Sequence, residues 1–147
     1  MEQNLECLMG GDLLPWERHY FMALLRALES QMGVRVRDLG GSEPLAQASR
    51  VWIIARDWRA ALRQLPARHG GEVFVSVLGM RARPRWFGLF DRGWNPSSKL
   101  KVKLLAHSPY AHRFLKEMER VPSENLVELP LPGFMAEVRP RSRGPLR

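Results

Sequence analysis

The chain has 147 residues, 45% of them hydrophobic and 26% charged, which is the size and balance of one globular domain with a single core. No apolar run approaches the roughly 18 to 20 residues of a spanning helix, and Met1-Glu2-Gln3-Asn4 puts no basic segment ahead of an apolar one, so the expected compartment is the cytoplasm. A single cysteine, Cys7, excludes an internal disulfide and a multi-cysteine zinc site, and a formal charge of +8 favours anionic partners such as nucleic acid, acidic headgroups or phosphorylated small molecules.

Leu5-Glu6-Cys7-Leu8-Met9 is a short apolar run closed by Gly10-Gly11 and reads as a first strand, with Cys7 a small apolar strand residue. Asp12 to Ser30 reads as a helix. Pro15 suits its first turn, Tyr20, Phe21, Leu24, Leu25 and Leu28 share one face, and Gly33 supplies the stop. Val34-Arg35-Val36-Arg37 alternates apolar and basic, as a half-covered strand near a sheet edge would. Gly40-Gly41-Ser42 is a turn, and Pro44 to Ser49 has room for a short helix.

Val51-Trp52-Ile53-Ile54-Ala55 is continuously apolar, the mark of a central parallel strand covered on both faces. Trp58, Ala61, Leu62 and Leu65 follow at helical spacing, stopped near Gly70-Gly71. Val73 to Leu78 is the next buried strand, Met80 to Ser98 a long irregular stretch, and Leu100 to Ala106 a further strand. Ser108 can cap a helix begun by Pro109, with Tyr110, Phe114, Leu115 and Met118 as its apolar stripe. Leu126 to Leu129 is a last short strand, ended by Pro130-Leu131-Pro132-Gly133. Strands alternating with helices predict an open, mainly parallel Rossmann-like α/β sheet with helices on both faces. Residues 1–134 form this single domain, and 135–147 are expected to be a basic, mobile tail.

In such sheets ligands bind where strand carboxyl ends hand over to loops. That rule selects Gly10-Gly11-Asp12, Asp38, Arg56-Asp57, Gly79 onward and His107-Ser108. Gly10-Gly11 ahead of a helix lets backbone amides approach a phosphate or sugar, although a plain tight turn explains the pair as well. Neither G-x-G-x-x-G nor G-x-x-x-x-G-K-[ST] is present, so dinucleotide and P-loop readings fail. His107 and Ser108 place an imidazole and a hydroxyl beside a helix start that favours anions, or else are a structural histidine and a cap. No G-x-S-x-G elbow surrounds Ser108, so a hydrolytic triad is a poor fit. His19 and His112 read as solvated and His69 as a loop residue; no spacing suits a metal, and no cofactor is expected.

The segment Arg81 to Trp94 is the most distinctive. Arg81, Arg83, Arg85 and Arg92 interleave with Trp86, Phe87 and Trp94, and Lys99, Lys101 and Lys103 follow. Aromatics can sit at headgroup level while cations pair with anionic lipid. Alternatively they stack bases while the cations track phosphates. The competing reading folds the loop back on the core with its arginines solvated.

Two stretches, Lys103-Leu104-Leu105-Ala106-His107-Ser108-Pro109-Tyr110-Ala111 and Asn125-Leu126-Val127-Glu128-Leu129-Pro130-Leu131-Pro132-Gly133-Phe134, meet a family pattern. Together they resemble the end of the N-terminal domain in glycosyltransferases built from two facing Rossmann-like halves (GT-B type, group 1-like). There a strand ends in a hydroxyl residue, a helix runs through a stretch like Val121-Pro122-Ser123-Glu124-Asn125, and a short strand closes on a proline-bearing linker. Gly10-Gly11 and the helix holding Glu17-Arg18-His19 are similar to the family's glycine turn and first helix. The resemblance implies an acceptor-side domain whose cleft is lined by Gly10, Gly11, Asp12, His107 and Ser108. It also implies a partner half that holds the nucleotide-sugar, and a basic aromatic loop facing a membrane or lipid-linked acceptor. Three departures stand out: the first strand is shorter and more polar than the family's, Gly79-Met80 occupies a place where many members present a histidine, and the donor half's E-x(7)-E carboxylates have no counterpart. The rival expectations are a basic nucleic-acid-binding module and a non-catalytic adaptor of flavodoxin-like shape.

Overall fold

The computed structural model describes residues 4–41, 45–46, 49–78, 94 and 100–131. Six strands, β1 (Asn4–Met9), β2 (Gly33–Asp38), β3 (Arg50–Ala55), β4 (Glu72–Val77), β5 (Lys101–Ala106) and β6 (Leu126–Glu128), form one sheet. Three helices, α1 (Pro15–Glu29), α2 (Trp58–Arg63) and α3 (Pro109–Glu117), pack on it. The strand order is β2-β1-β3-β4-β5-β6, and every ladder is parallel. The first five strands follow the flavodoxin-like order, in which the chain winds outward one way to β2 and then the other way from β3. The expected open parallel α/β sheet is therefore the observed one. The alternating Val-Arg strand, β2, lies at an edge, and the uninterrupted apolar run of β3 lies inside.

Side-chain alternation along the strands builds two cores. Leu8, Val51, Ile53, Val75 and Leu104 meet Ala61 and Leu62 of α2 and Ala111 and Leu115 of α3 on one face. Cys7, Met9, Trp52, Ile54 and Leu105 meet Phe21 and Leu25 of α1 on the other. Each buried aliphatic of this size stabilises the fold by about 1.5–3 kcal/mol relative to exposure. Cys7 is fully buried, and burial pushes its thiol up to about 12, so it behaves as an apolar strand residue.

Helix boundaries differ from the sequence expectation for identifiable reasons. α1 begins at Pro15 because Asp12 is drawn across the strand ends: its carboxylate accepts the backbone N–H groups of Arg56 (3.1 Å) and Asp57 (2.8 Å). Leu14 then precedes the helix without a side-chain acceptor, and Glu17 accepts its backbone N–H at 2.8 Å. α2 is capped by Asp57 and stops at Arg63, short of Leu65. Ser108 caps α3 as its position foretold, accepting the Ala111 N–H at 3.0 Å. The side chains of α3 that reach the core are Ala111 and Leu115, while Tyr110 and Met118 face solvent. A turn through Arg120 (φ 58°) leads into the 3₁₀ turn Ser123–Asn125, and Asn125 ties that turn to the Val102 carbonyl at 2.9 Å. Half of the short helix expected over 44–49 lies outside the described residues, and Leu45, Ala46 and Ser49 are not helical; the tail 135–147 lies wholly outside them. No described helix is long and apolar enough to cross a membrane.

Candidate functional site

The reversal of winding falls between β1 and β3, so the position at which such sheets commonly take ligands is that of Gly10-Gly11-Asp12 and Arg56-Asp57. β1 is held there on both sides: Gly10 N–H donates to Ile54 O at 2.8 Å, and Leu39 N–H donates to Met9 O at 2.9 Å. The two glycines are there for different reasons. A Cβ on Gly10 would lie 2.8 Å from Ala55 Cβ and 2.8 Å from an Asp12 carboxylate oxygen, so strand packing alone demands glycine. A Cβ on Gly11 would meet no atom within 4 Å, and the residue is exposed. Its bare backbone faces open space at the turn that follows β1.

Charged side chains frame this turn. Glu17, buried at 1% exposure, binds Arg56 Nη1 through Oε2 while its Oε1 holds the Leu14 N–H. This pair locks the start of α1 to the end of β3 across 39 residues of chain. Arg18 and Asp38 form a looser exposed pair at 3.5 Å beside it. With Asp12 filling the amide slot of the β3–α2 turn, the remaining surface presents carboxylates, two arginines and the Gly11 backbone. That chemistry can grip hydroxyl groups.

His107 and Ser108 lie elsewhere. β5 is three ladder steps from β1, roughly 14 Å along the sheet. Both residues are buried, at 2% and 8% exposure, and Ser108 is committed to its cap. His107 Nδ1 lies 2.8 Å from the Leu129 carbonyl, which only accepts, so Nδ1 carries the proton in the tautomer this network assigns. Nε2 is then free to accept from Ser76 Oγ at 2.8 Å, and Ser76 Oγ accepts the Trp52 indole N–H at 2.8 Å. Phe21 closes over both rings, with centroids 6.1 Å from Trp52 and 6.2 Å from His107. Burial pushes the His107 pKa below its usual value, partly offset by the Leu129 carbonyl. A hydroxyl on an imidazole nitrogen has the form of a nucleophile and its base, but Ser76 has no exposed surface and no substrate reaches it. The network latches β3, β4 and β5 to the chain leaving β6.

Of the basic aromatic segment, Arg81, Arg83, Arg85, Trp86, Phe87, Arg92 and Lys99 lie outside the described residues. Trp94 is half-buried and stacks on Trp58 at 6.3 Å, with its backbone N–H on the Glu119 carbonyl at 2.7 Å. Arg59 lies 4.4 Å from the Trp58 ring centroid and binds Glu119 at 2.7 Å, so Trp94 belongs to a closed cluster over α2 and α3. Lys101 is exposed on β5, opposite Glu72 in register.

Residue types alone do not reveal Glu17, Ser76 and Trp52. A serine inside Val73-Phe74-Val75-Ser76-Val77 was the available sign of a buried polar network; Glu17 gave none, because its partner is 39 residues away. Among the described residues no three His, Cys, Asp or Glu side chains gather as a metal set. A scan against protein-family models, a search of curated proteins and a search of solved structures each found no match for this chain.

Proposed function

We propose that this chain is the acceptor-side half of a two-domain nucleotide-sugar glycosyltransferase, completed by a second half that holds the donor. The observation that carries the reading is Gly11: neither packing nor backbone strain among the described residues requires glycine there, and its open face lies at the switch point. A bare backbone near the carboxylates of Asp38 and Asp57, the latter held by Asp12 through the Arg56 and Asp57 amides, suits a hydroxyl-rich acceptor. The run from β5 through Ser108-capped α3 and the 3₁₀ turn Ser123–Asn125 to β6 and Pro130 supports the same reading, since it has the order of elements that the resemblance implies. On this reading the acceptor crevice is narrower than the resemblance alone implied. It centres on Gly10, Gly11 and Asp12, with His107 holding the floor of the sheet rather than meeting ligand. A membrane or lipid-linked acceptor remains the expected partner of the basic aromatic segment.

Backbone amide shift mapping on the ¹⁵N-labelled chain tests this. The probes are free mono- and oligosaccharides, anionic vesicles carrying polyprenyl phosphate, and single-stranded DNA, each at low and high salt. Shifts gathered at Gly11, Asp12, Asp38 and Asp57 with a saccharide or the lipid-linked probe are the expected result. Binding of DNA alone, with affinity falling steeply as salt rises, would replace the reading with a nucleic-acid-binding module. Silence to all three would leave the adaptor.

A further inference from the structure

Among the described residues five large hydrophobic side chains are exposed, and four of them, Tyr110, Met118, Val127 and Leu129, lie between the start of α3 and the residue that follows β6. Tyr110 and Met118 are 66% and 69% exposed, and Phe114 between them is half-buried. Spaced four residues apart, the three form one line along a flank of α3 that is distinct from its core face of Ala111 and Leu115. The Tyr110 and Phe114 rings already stack, 6.4 Å apart and 28° from parallel, so the line is ordered before anything binds it.

Arg113 and Glu117 run beside this line, one turn apart, both exposed and neither in an ion pair among the described residues. We propose that the flank is a contact between two copies of this chain, with α3 packed antiparallel on α3 about a two-fold axis at Phe114. In that register Phe114 meets its mate and Tyr110 meets Met118 of the other copy, a favourable aromatic–sulfur pairing. Arg113 and Glu117 lie on one side of the line, so each comes within side-chain reach of its opposite charge on the other copy, and symmetry makes every contact except the central Phe114 pair twice. A parallel pair would place the two copies' Arg113 and Glu117 on opposite sides of the seam, so the two charges meet only in the antiparallel arrangement. Local charge permits the contact as well. Residues 107–131 carry three Lys and Arg against four Glu, so the +8 of the chain lies elsewhere and does not oppose association here.

Sedimentation equilibrium on the full chain between roughly 1 and 200 µM, the range in which a modest interface titrates, reads the contact directly. The wild type is expected to be a concentration-dependent dimer. Arg113→Glu and Glu117→Arg each weaken it about tenfold, because two symmetric pairs turn repulsive at once. The double variant, Arg113→Glu with Glu117→Arg, returns to wild-type association. Tyr110→Asp abolishes association. All three positions are exposed, so unchanged denaturant midpoints confirm that each variant is folded. A wild type that stays monomeric across the range overturns the proposal. A dimer indifferent to the charge reversals overturns it as well.

Discussion

The two ends of the carboxyl edge of this sheet carry similar residue types and resolve in opposite ways. At β1 and β3 the polar groups lie at the surface, and Gly11 leaves a gap that nothing in the described fold fills. At β4 and β5 the polar groups are equally chemical on paper, a serine and a histidine 2.8 Å apart, yet Phe21 and Trp52 seal them from solvent. The difference lies in what α1 covers: Phe21 reaches the β5 end, while the helix start is tied by Glu17 to Arg56 and leaves Gly11 exposed. A polar residue at a strand end marks a site only when no helix roofs it.

Substitutions that treat the two ends alike sharpen the contrast. The largest effect is expected at the sealed end. His107→Leu leaves the Ser76 hydroxyl and the Leu129 carbonyl without their partner, at a cost of about 3 kcal/mol in denaturant unfolding. A loss under about 1 kcal/mol would mean that the latch is not structural. Glu17→Gln follows at about 2 kcal/mol, below the usual cost of breaking a buried pair because the Arg56 side chain is 36% exposed. Next come the glycines: Gly10→Ala forces a 2.8 Å contact with Ala55 and costs about 1.5 kcal/mol, whereas Gly11→Ala stays within about 0.5 kcal/mol. Equal costs at the two positions would erase the distinction on which the site rests.

The smallest effect is a pH response. The folded state holds His107 below its ordinary pKa, so the unfolded chain takes up the proton first as pH falls. The contribution is fully present above about pH 6.5, the unfolded value, and declines as pH drops toward the folded one. The unfolding free energy of the wild type should therefore fall more steeply between about pH 7 and 5 than that of His107→Gln, in matched denaturant titrations. Parallel slopes would show that His107 titrates alike in both states.

Much of the fold could be read from the residues because it depends on local pattern. Val51 to Ala55 has no polar side to offer solvent and lies inside; Val34 to Arg37 alternates and lies at an edge; Ser108-Pro109 begins a helix where a cap and a fixed φ coincide. The start of α1 was not legible, since Asp12 is held by amides 44 and 45 residues away and no local signal records that. Gly10-Gly11-Asp12 was identified from the rule about strand ends, and the structure places it at the winding reversal. The roles of His107 and Trp94 could not be separated from surface roles in the sequence, because both depend on rings contributed by distant segments, Phe21 for one and Trp58 for the other.

Gly11→Val, measured for saccharide binding and for unfolding free energy on the same preparation, is the most direct test. Filling the open space should abolish binding while changing stability by no more than about 0.5 kcal/mol. Binding retained at wild-type strength, or a stability loss large enough to explain its absence, would contradict a ligand crevice at the β1–β3 reversal.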